Sequence, residues 1–201
     1  PSIVRVGSNK ISVELPGAID PERAINLIKR AGILEFKMVD ETIPASDVQQ
    51  WVKEARDSLG LTEGFKEEQI LKINEALKGK IPVADEVLFE VQYDPVTKKI
   101  AGGIPYLLKA KSELTGEMLR QAQVNIQNNE PYVSLSFNNT GTKLFAELTK
   151  ANVGKRLAII LDGNVSKAPV IQSEIPSGEA QITLGFGNYQ DLLREAEDLA
   201  L

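Results

Sequence analysis

The chain has 201 residues, of which 42% are hydrophobic and 25% are charged, and its formal net charge is −5. This composition is typical of a globular protein, and the length is sufficient for one large domain or two small ones. Because the sequence contains neither Cys nor His, it excludes thiol nucleophiles, disulfides, Cys/His zinc sites and a Ser-His-Asp triad. No basic run stands out, so we expect no nucleic-acid partner.

Residues 10–40 predict a strand, a helix and a second strand. The first strand is indicated by alternating apolar residues at Ile11, Val13 and Leu15. Asp20 is a suitable helix N-cap, and Pro21 fits the first helical position. The second strand follows Gly32 and carries the alternating apolar residues Leu34, Phe36 and Met38.

Residues 41–111 carry the signals of a small separate subdomain. We expect one helix capped by Ser46 and closed by Gly60, and a second helix that ends near Gly79. The core face of the second helix is predicted to hold Ile70, Ile73, Asn74 and Leu77. The alternating residues Val87, Phe89, Val91 and Tyr93 then predict a strand. Gly102-Gly103 predicts a turn before a further strand at 106–108.

The rest of the chain repeats the strand, helix and strand order. A short helix is expected at 115–119, followed by a strand carrying Val133, Leu135 and Phe137. Asn138 offers cap chemistry for a helix that stops at Gly154. The segment 157–161 is a short apolar strand, and Asp162-Gly163 is a strong signal for a type I′ hairpin turn. The partner strand is expected at 165–171.

Two strand–helix–strand units predict an α+β protein with a ferredoxin-like split βαβ base. About ninety residues separate the two units, so we expect an inserted small α+β head. The predicted division is a first part of the base at 1–40, the head at 41–111 and a second part of the base at 112–201. The chain begins at Pro1 without an initiator Met, and we expect it to be a piece of a longer protein.

Three segments together resemble the large extracytoplasmic domain of the SecD family. They are VELPGAIDPERAINLIKRAGILEFKMV at 13–39, LTGEML at 114–119, and 138–171 with GTKLFAELT, NVGKRLAIILDG and APVI. The order and spacing of the segments also match, which makes the combination more specific than any one of them. The sequence departs from the family pattern at Lys167, where a small or polar residue is usual, and in a Gly-rich turn reduced to Ser177-Gly178.

The resemblance implies a function in protein export. It predicts a domain on the extracytoplasmic, periplasmic side of the bacterial membrane, carried by a parent protein anchored in that membrane. The implied role is to assist late, proton-motive-force-linked translocation by contacting the emerging unfolded polypeptide. The implied partners are that secretory polypeptide and, through the parent, SecF and the SecYEG channel; no cofactor is implied. A structural spacer or a docking domain for other export subunits is the alternative.

Eight residues are candidates for roles in such a domain. We expect Phe89, Tyr93 and Tyr106 to contact polypeptide, and the two connections to the head to act as a hinge. The hinge candidates are Asp40, Glu41, Thr42, Lys111 and Ser112. The simpler role for the strand at 87–93 is the core of the head itself.

Other signals have simpler interpretations, and we expect no enzymatic activity. An acylphosphatase-type site needs an Arg in the loop after the first strand, and residues 16–19 contain none. Lys155-Arg156 could bind an anion, although complementing a helix C-terminus is simpler. Four carboxylates near one strand could hold a cation, although a solvated strand edge is simpler; they are Asp85, Glu86, Glu90 and Asp94. Gly185-Phe186-Gly187 is more simply a turn than a phosphate loop.

Overall fold

The computed structural model describes residues 2–6, 10–14, 33–61, 65–94, 97, 100–127 and 130–183. The chain divides into two compact units, one formed by Pro1–Gly32 with Leu201 and the other by Ile33–Ala200. The described part of the first unit is an antiparallel hairpin of β1, Ser2–Val6, and β2, Lys10–Glu14. The helix predicted after Asp20 and the turn predicted at 185–187 lie outside the described residues.

The described part of the second unit mixes strands with three α-helices. The helices are α1, Ala45–Leu59; α2, Glu67–Ala76; and α3, Asn139–Ala151; a short 3-10 helix lies at Gly116–Met118. The strands are β3, Leu34–Met38; β4, Asp85–Tyr93; β5, Ile100–Lys109; β6, Leu114–Thr115; β7, Leu119–Gln127; β8, Glu130–Phe137; β9, Leu157–Leu161; β10, Asn164–Lys167; and β11, Glu179–Thr183. No described helix has the length and apolar character needed to cross a membrane.

An antiparallel sheet in the order β10-β9-β3-β6 runs through the middle of this unit. Phe36 of β3 pairs with Ile159 of β9. Strand β8 belongs instead to a second sheet, ordered β11-β8-β7, and β4 pairs with β5 in a two-stranded ribbon. The mixture of helices and strands expected of the predicted α+β class is confirmed. The ferredoxin-like arrangement is not confirmed, because β8 lies outside the described sheet that holds β3 and β9.

Alternate residues of the central sheet face two hydrophobic cores. Phe36 and Ile159 belong to the first core, where the Phe36 ring lies 5.7 Å from Phe137 and 6.3 Å from Phe145. Ala158 and Ile160 belong to the second core, which also contains residues of α1, α2, β4 and β5. Segment 41–111 therefore shares a core with β9 and β10, and its separation as a head stays a prediction.

Several local signals are confirmed at the predicted residues. The Asn138 carboxamide oxygen accepts from the N–H groups of Thr140 and Gly141 and so caps α3. Asp162 and Gly163 have φ values of 50° and 76°, as the predicted type I′ turn requires. The partner strand is shorter than predicted, because β10 ends at Lys167 after a register shift.

Two local predictions were wrong. Ser46 does not cap α1, because the helix already begins at Ala45 and Pro44 occupies the N-cap position. The Ser46 hydroxyl instead donates to the Asp47 carboxylate at 3.1 Å. Gly102-Gly103 is no turn, because both residues lie inside β5. A Cβ at Gly103 would stand 2.7 Å from the Phe65 ring, so glycine allows close packing there.

Candidate polypeptide-binding groove

A groove of about 810 Å³ opens on the side of β3 that faces the second core. One wall is formed by Ile33, by Glu35 and Lys37, which lie on the side of β3 away from the first core, and by the turn at 162–164. Helix α2, the segment after it and the start of β4 form the other wall. The groove therefore joins segments that are far apart in the sequence.

The most exposed large apolar side chains of the described residues all line this groove. Val83 is fully exposed, and Ile33 and Leu71 are 67% and 63% exposed. Leu71 projects from α2 beside the core residue Ile70, and Val83 follows Pro82 in the segment before β4. Exposed apolar side chains gathered in one concave surface are a sign of a binding site.

Charged side chains cross the same groove. The buried Lys37 ammonium lies 2.6 Å from a Glu86 carboxylate oxygen and 3.6 Å from Glu35. On the rim, the Lys78 ammonium lies 2.5 Å from a carboxylate oxygen of Glu75, three residues earlier in the sequence. The Lys37 contacts hold β3 and β4 together, because removing the cation would leave carboxylates without their partner.

Asn74 fixes the position of α2 against β4. Its Nδ2 donates to the Val87 carbonyl at 2.9 Å, and its Oδ1 accepts from the Val87 N–H at 2.7 Å. The same Nδ2 also donates to the Ile70 carbonyl at 3.0 Å. The carboxamide therefore pairs with Val87 as a neighbouring strand would, and it sets the spacing of one wall of the groove.

A buried ion-pair cluster lies where the two predicted hinge connections meet. The Lys109 ammonium lies 2.5 Å from an Asp40 carboxylate oxygen and 2.9 Å from Asp85, and both carboxylates are buried. Burial opposes ionisation of Asp40, but hydrogen bonds from Lys109 and Thr42 outweigh it and hold its pKa well below the ordinary range. Burial and the neighbouring Asp40 raise the pKa of Asp85.

The other predicted hinge residues lie at or near the surface, and two of them form hydrogen bonds. Glu41, Thr42 and Lys111 are exposed; Thr42 donates to Asp40, and the Ser112 hydroxyl donates to the Glu35 carboxylate. The backbones of the connections are also paired, since the Asp40 N–H donates to the Leu107 carbonyl at 2.8 Å. The hinge stays a prediction, and motion there would have to break these contacts.

Two of the predicted polypeptide contacts, Phe89 and Tyr106, lie outside the groove. Phe89 is only 1% exposed, and its ring centroid lies 4.8 Å from that of Phe65. Phe89 thus belongs to the second core, which is the simpler role foreseen for its strand. Tyr93 is the last residue of β4. Their contact with polypeptide stays a prediction, and for Phe89 it would require this core to open.

Tyr106 is partly buried in a polar contact. Its hydroxyl donates to Glu90 at 3.0 Å, and the Arg156 guanidinium lies over its ring, 5.2 Å from the centroid. Burial and the nearby Glu90 carboxylate raise the pKa of Tyr106. Arg156 also donates from Nε to the Ala168 carbonyl at 3.0 Å, so its observed role is to join β5 to the segment after β10.

Sequence reasoning missed the groove residues Ile33, Leu71 and Val83. The available signal was that Leu71 is apolar yet lies off the helical face formed by Ile70 and Ile73. The four carboxylates suggested as a cation site are separated by other contacts, since Asp85 pairs with Lys109 and Glu86 with Lys37. Among the residues that the structure describes, no group of three or more carboxylates could hold a metal ion.

Two family models match this sequence. The model described as the P1 head subdomain of SecDF matches residues 90–201. The model described as the N-terminal part of the P1 domain of protein translocase subunit SecDF matches residues 1–41. Together the two matches cover both ends of the chain and more than half of its length.

Relatives with a curated description match along the whole chain. Protein translocase subunit SecD of Calditerrivibrio nitroreducens is 40% identical over 203 residues, covering 100% of this chain and 33% of the relative. The SecD subunit of Desulfurispirillum indicum is 36% identical, with the same coverage of both chains. This chain thus spans about a third of the length of these relatives.

Solved structures give a similar result. One is described as a membrane component, SecDF, that enhances protein export; it is 31% identical, with a TM-score of 0.54 over 99% of this chain and 76% of that chain. A SecDF crystal structure in a super-membrane-facing form is also 31% identical. Its TM-score is 0.50, over 94% of this chain and 22% of that one.

Proposed function

This chain belongs to the SecD family of protein translocase subunits, and from that premise we propose that it is the extracytoplasmic domain of a Sec translocon accessory subunit. It assists late-stage, proton-motive-force-linked translocation by contacting the unfolded polypeptide as it emerges. The observation that carries this proposal is the match to the P1 head model over residues 90–201. The parent is anchored in the bacterial membrane, with SecF and SecYEG as its partners.

The groove supplies the surface for this contact. A secretory polypeptide has no fixed sequence, so a surface that assists its passage has to bind many sequences weakly. Ile33, Leu71 and Val83 offer apolar contact without a closed pocket that would select one side chain. Weak, reversible contact of this kind is compatible with onward movement of the polypeptide, and it requires no catalytic group.

The predicted hinge extends the proposal to motion. Rotation of segment 41–111 at Asp40–Thr42 and Lys111–Ser112 would alternately present and withdraw the groove. Such a rotation has to break the Asp40–Lys109 ion pair and the hydrogen bond from Asp40 to Leu107. It also has to separate segment 41–111 from Ala158 and Ile160 in the second core. The ion pair, the hydrogen bond and this packing together would set the free-energy difference between the resting and moved states.

Photo-crosslinking in the full-length parent with a stalled secretory chain tests the proposal. Probes at Leu71 and Val83 examine the groove, and probes at Phe89, Tyr93 and Tyr106 examine the contacts predicted from sequence. Val153, exposed on the surface and outside the groove, is the matched control. We expect crosslinks to the secretory chain from the groove and none from Val153.

The contrary result would favour the alternative role. If no position crosslinks to the secretory chain while export still depends on this domain, the domain acts as a spacer or as a docking surface for other export subunits. Crosslinks from Phe89 without crosslinks from Leu71 would instead move the contact into the second core.

A further inference from the structure

The geometry points to a groove that selects polypeptide segments combining large apolar side chains with Lys or Arg. This inference rests on the proposed function, because it specifies which polypeptide segments the domain contacts. Its occupant is an extended segment of a secretory polypeptide. Both the apolar surface and the excess of negative charge in the groove support this choice.

The apolar part of the surface is distributed along the groove. Ile33 precedes β3, Leu71 lies on α2, and Val83 lies in the segment before β4. Since the three side chains come from separate segments, a ligand that contacts all of them has to extend across the groove. An extended polypeptide with several apolar side chains meets this requirement.

The charges that line the groove are mainly negative. Among the described residues that line the groove, only Lys37 and Lys78 contribute positive charges, and both form ion pairs with carboxylates of the groove. Six carboxylates are found among the same described residues: Glu35, Glu67, Glu75, Asp85, Glu86 and Asp162. Among the described residues, no Lys or Arg forms an ion pair with Glu67 or Asp162, so these two carboxylates can accept a cation from a ligand.

Charge complementarity of this kind discriminates between ligands more than it strengthens binding. A ligand ammonium or guanidinium beside Glu67 or Asp162 gains an ion pair at a solvent-exposed rim, whereas a ligand carboxylate is repelled. With two such carboxylates, we expect basic apolar peptides to bind about threefold to tenfold more tightly than acidic apolar peptides. The preference should shrink in high salt, because ions screen exposed charges.

Fluorescence anisotropy of the 201-residue chain with three labelled peptides tests the inference. The peptides have equal length and equal leucine content, and their remaining positions are all lysine, all glutamate or all serine. We expect the lysine peptide to bind most tightly and the glutamate peptide least. Equal affinity for all three would overturn the charge selection.

Paired variants locate the binding. We expect Glu67→Gln with Asp162→Asn to lower the lysine-peptide affinity about threefold and to leave the serine peptide unchanged. We expect Leu71→Ser with Val83→Ser to weaken all three peptides. Matched controls at exposed positions outside the groove are Glu117→Gln with Glu147→Gln, and Leu144→Ser with Val153→Ser. Because all eight residues are exposed or lie at a turn, thermal unfolding should show that each variant folds.

The remaining outcomes also decide the inference. A lysine preference of unchanged size in Glu67→Gln with Asp162→Asn would show that these two carboxylates do not cause the preference, and would overturn the charge selection assigned to them. Self-association that is lost in Leu71→Ser with Val83→Ser would make a second copy of the chain the occupant. If the peptides bind without charge preference while groove probes still crosslink in the parent, only this inference is overturned. If no groove probe crosslinks to the secretory chain, the proposed function is overturned.

Discussion

Lys109 is the residue that compensates the buried carboxylates of Asp40 and Asp85. Its ammonium is partly exposed, yet it contacts the buried carboxylates of both Asp40 and Asp85. Those carboxylates belong to segments that are 45 residues apart in the sequence and that meet beside β5. Without the cation, two negative charges would remain close together with little solvent to separate them.

We therefore predict that Lys109→Met lowers the free energy of unfolding by about 2 kcal/mol. This loss is smaller than that for a fully buried ion pair, because Lys109 is partly exposed to solvent. Lys111→Met, which removes the same charge from an exposed position two residues away, should change it by less than about 0.5 kcal/mol. Urea denaturation at neutral pH measures both. Equal effects of the two substitutions would show that the cluster contributes nothing specific.

The pKa of Lys109 gives this prediction a pH dependence. Hydrogen bonds to Asp40 and then to Asp85 raise the pKa of Lys109 above its ordinary value of 10.5. The folded state thus binds this proton more tightly than the unfolded state, so the stabilisation is complete below pH 10.5 and is lost as the pH rises through the raised pKa. We expect the difference in stability between the wild type and Lys109→Met to shrink in that alkaline range, as measured by urea denaturation in a pH series.

The ring of Phe65 lies so close to Gly103 that it leaves no room for a Cβ atom at this position. We predict that Gly103→Ala destabilises the fold by about 1–3 kcal/mol, because the new Cβ would lie 2.7 Å from Phe65, whose ring is held between Phe89 and Arg56. Gly102→Ala is the matched control, since its Cβ would meet only Gln92 at 4.0 Å. Thermal unfolding of the two variants compares them, and a neutral Gly103→Ala would show that the Phe65 ring can move.

At the scale of elements, one side chain connects α2 to β4. We predict that Asn74→Leu costs about 2 kcal/mol, because the N–H and the carbonyl of the buried Val87 would both lose their partner. Asn74→Asp keeps the acceptor but places a carboxylate oxygen against the carbonyls of Ile70 and Val87, so its effect should be at least as large at neutral pH. Urea denaturation measures both, and hydrogen exchange at the Val87 amide reports whether that contact is the one lost.

At the scale of the whole molecule, the central sheet joins the two cores of the second unit. The adjacent residues Ile159 and Ile160 of β9 face the first and the second core, respectively. Because each core uses one face of the same strands, neither can lose its packing without affecting the sheet. The described part of Ile33–Ala200 should therefore unfold as one cooperative unit.

Phe145→Leu tests this coupling from one core to the other. Phe145 lies in the first core and Trp51 packs against the second. We predict a loss of about 1–2 kcal/mol, with the same shift in the urea midpoint from Trp51 fluorescence as from circular dichroism. Val153→Ser, at a more exposed position after α3, should shift both midpoints far less. Two separate transitions would instead support an independent head at 41–111.

The sequence alone determined the features that depend on neighbouring residues. The type I′ turn at Asp162-Gly163, the cap at Asn138, the end of α1 at Gly60 and the strand at 157–161 are all found as predicted. Each depends on backbone conformation or on side-chain period within a few residues, so the local sequence contains the whole cause. The family also followed from sequence, since its segments occur in the expected order.

Only the tertiary structure decided which of these pieces meet. Phe89 lies in the second core, and Gly103 lies in a strand that packs against Phe65. Lys109 forms ion pairs with both Asp40 and Asp85. The groove brings together Ile33, Leu71, Val83 and Asp162. No periodic pattern in the sequence links these four positions. Burial and ion pairing depend on the approach of distant segments, and that approach is set by the packing of the two cores on the central sheet.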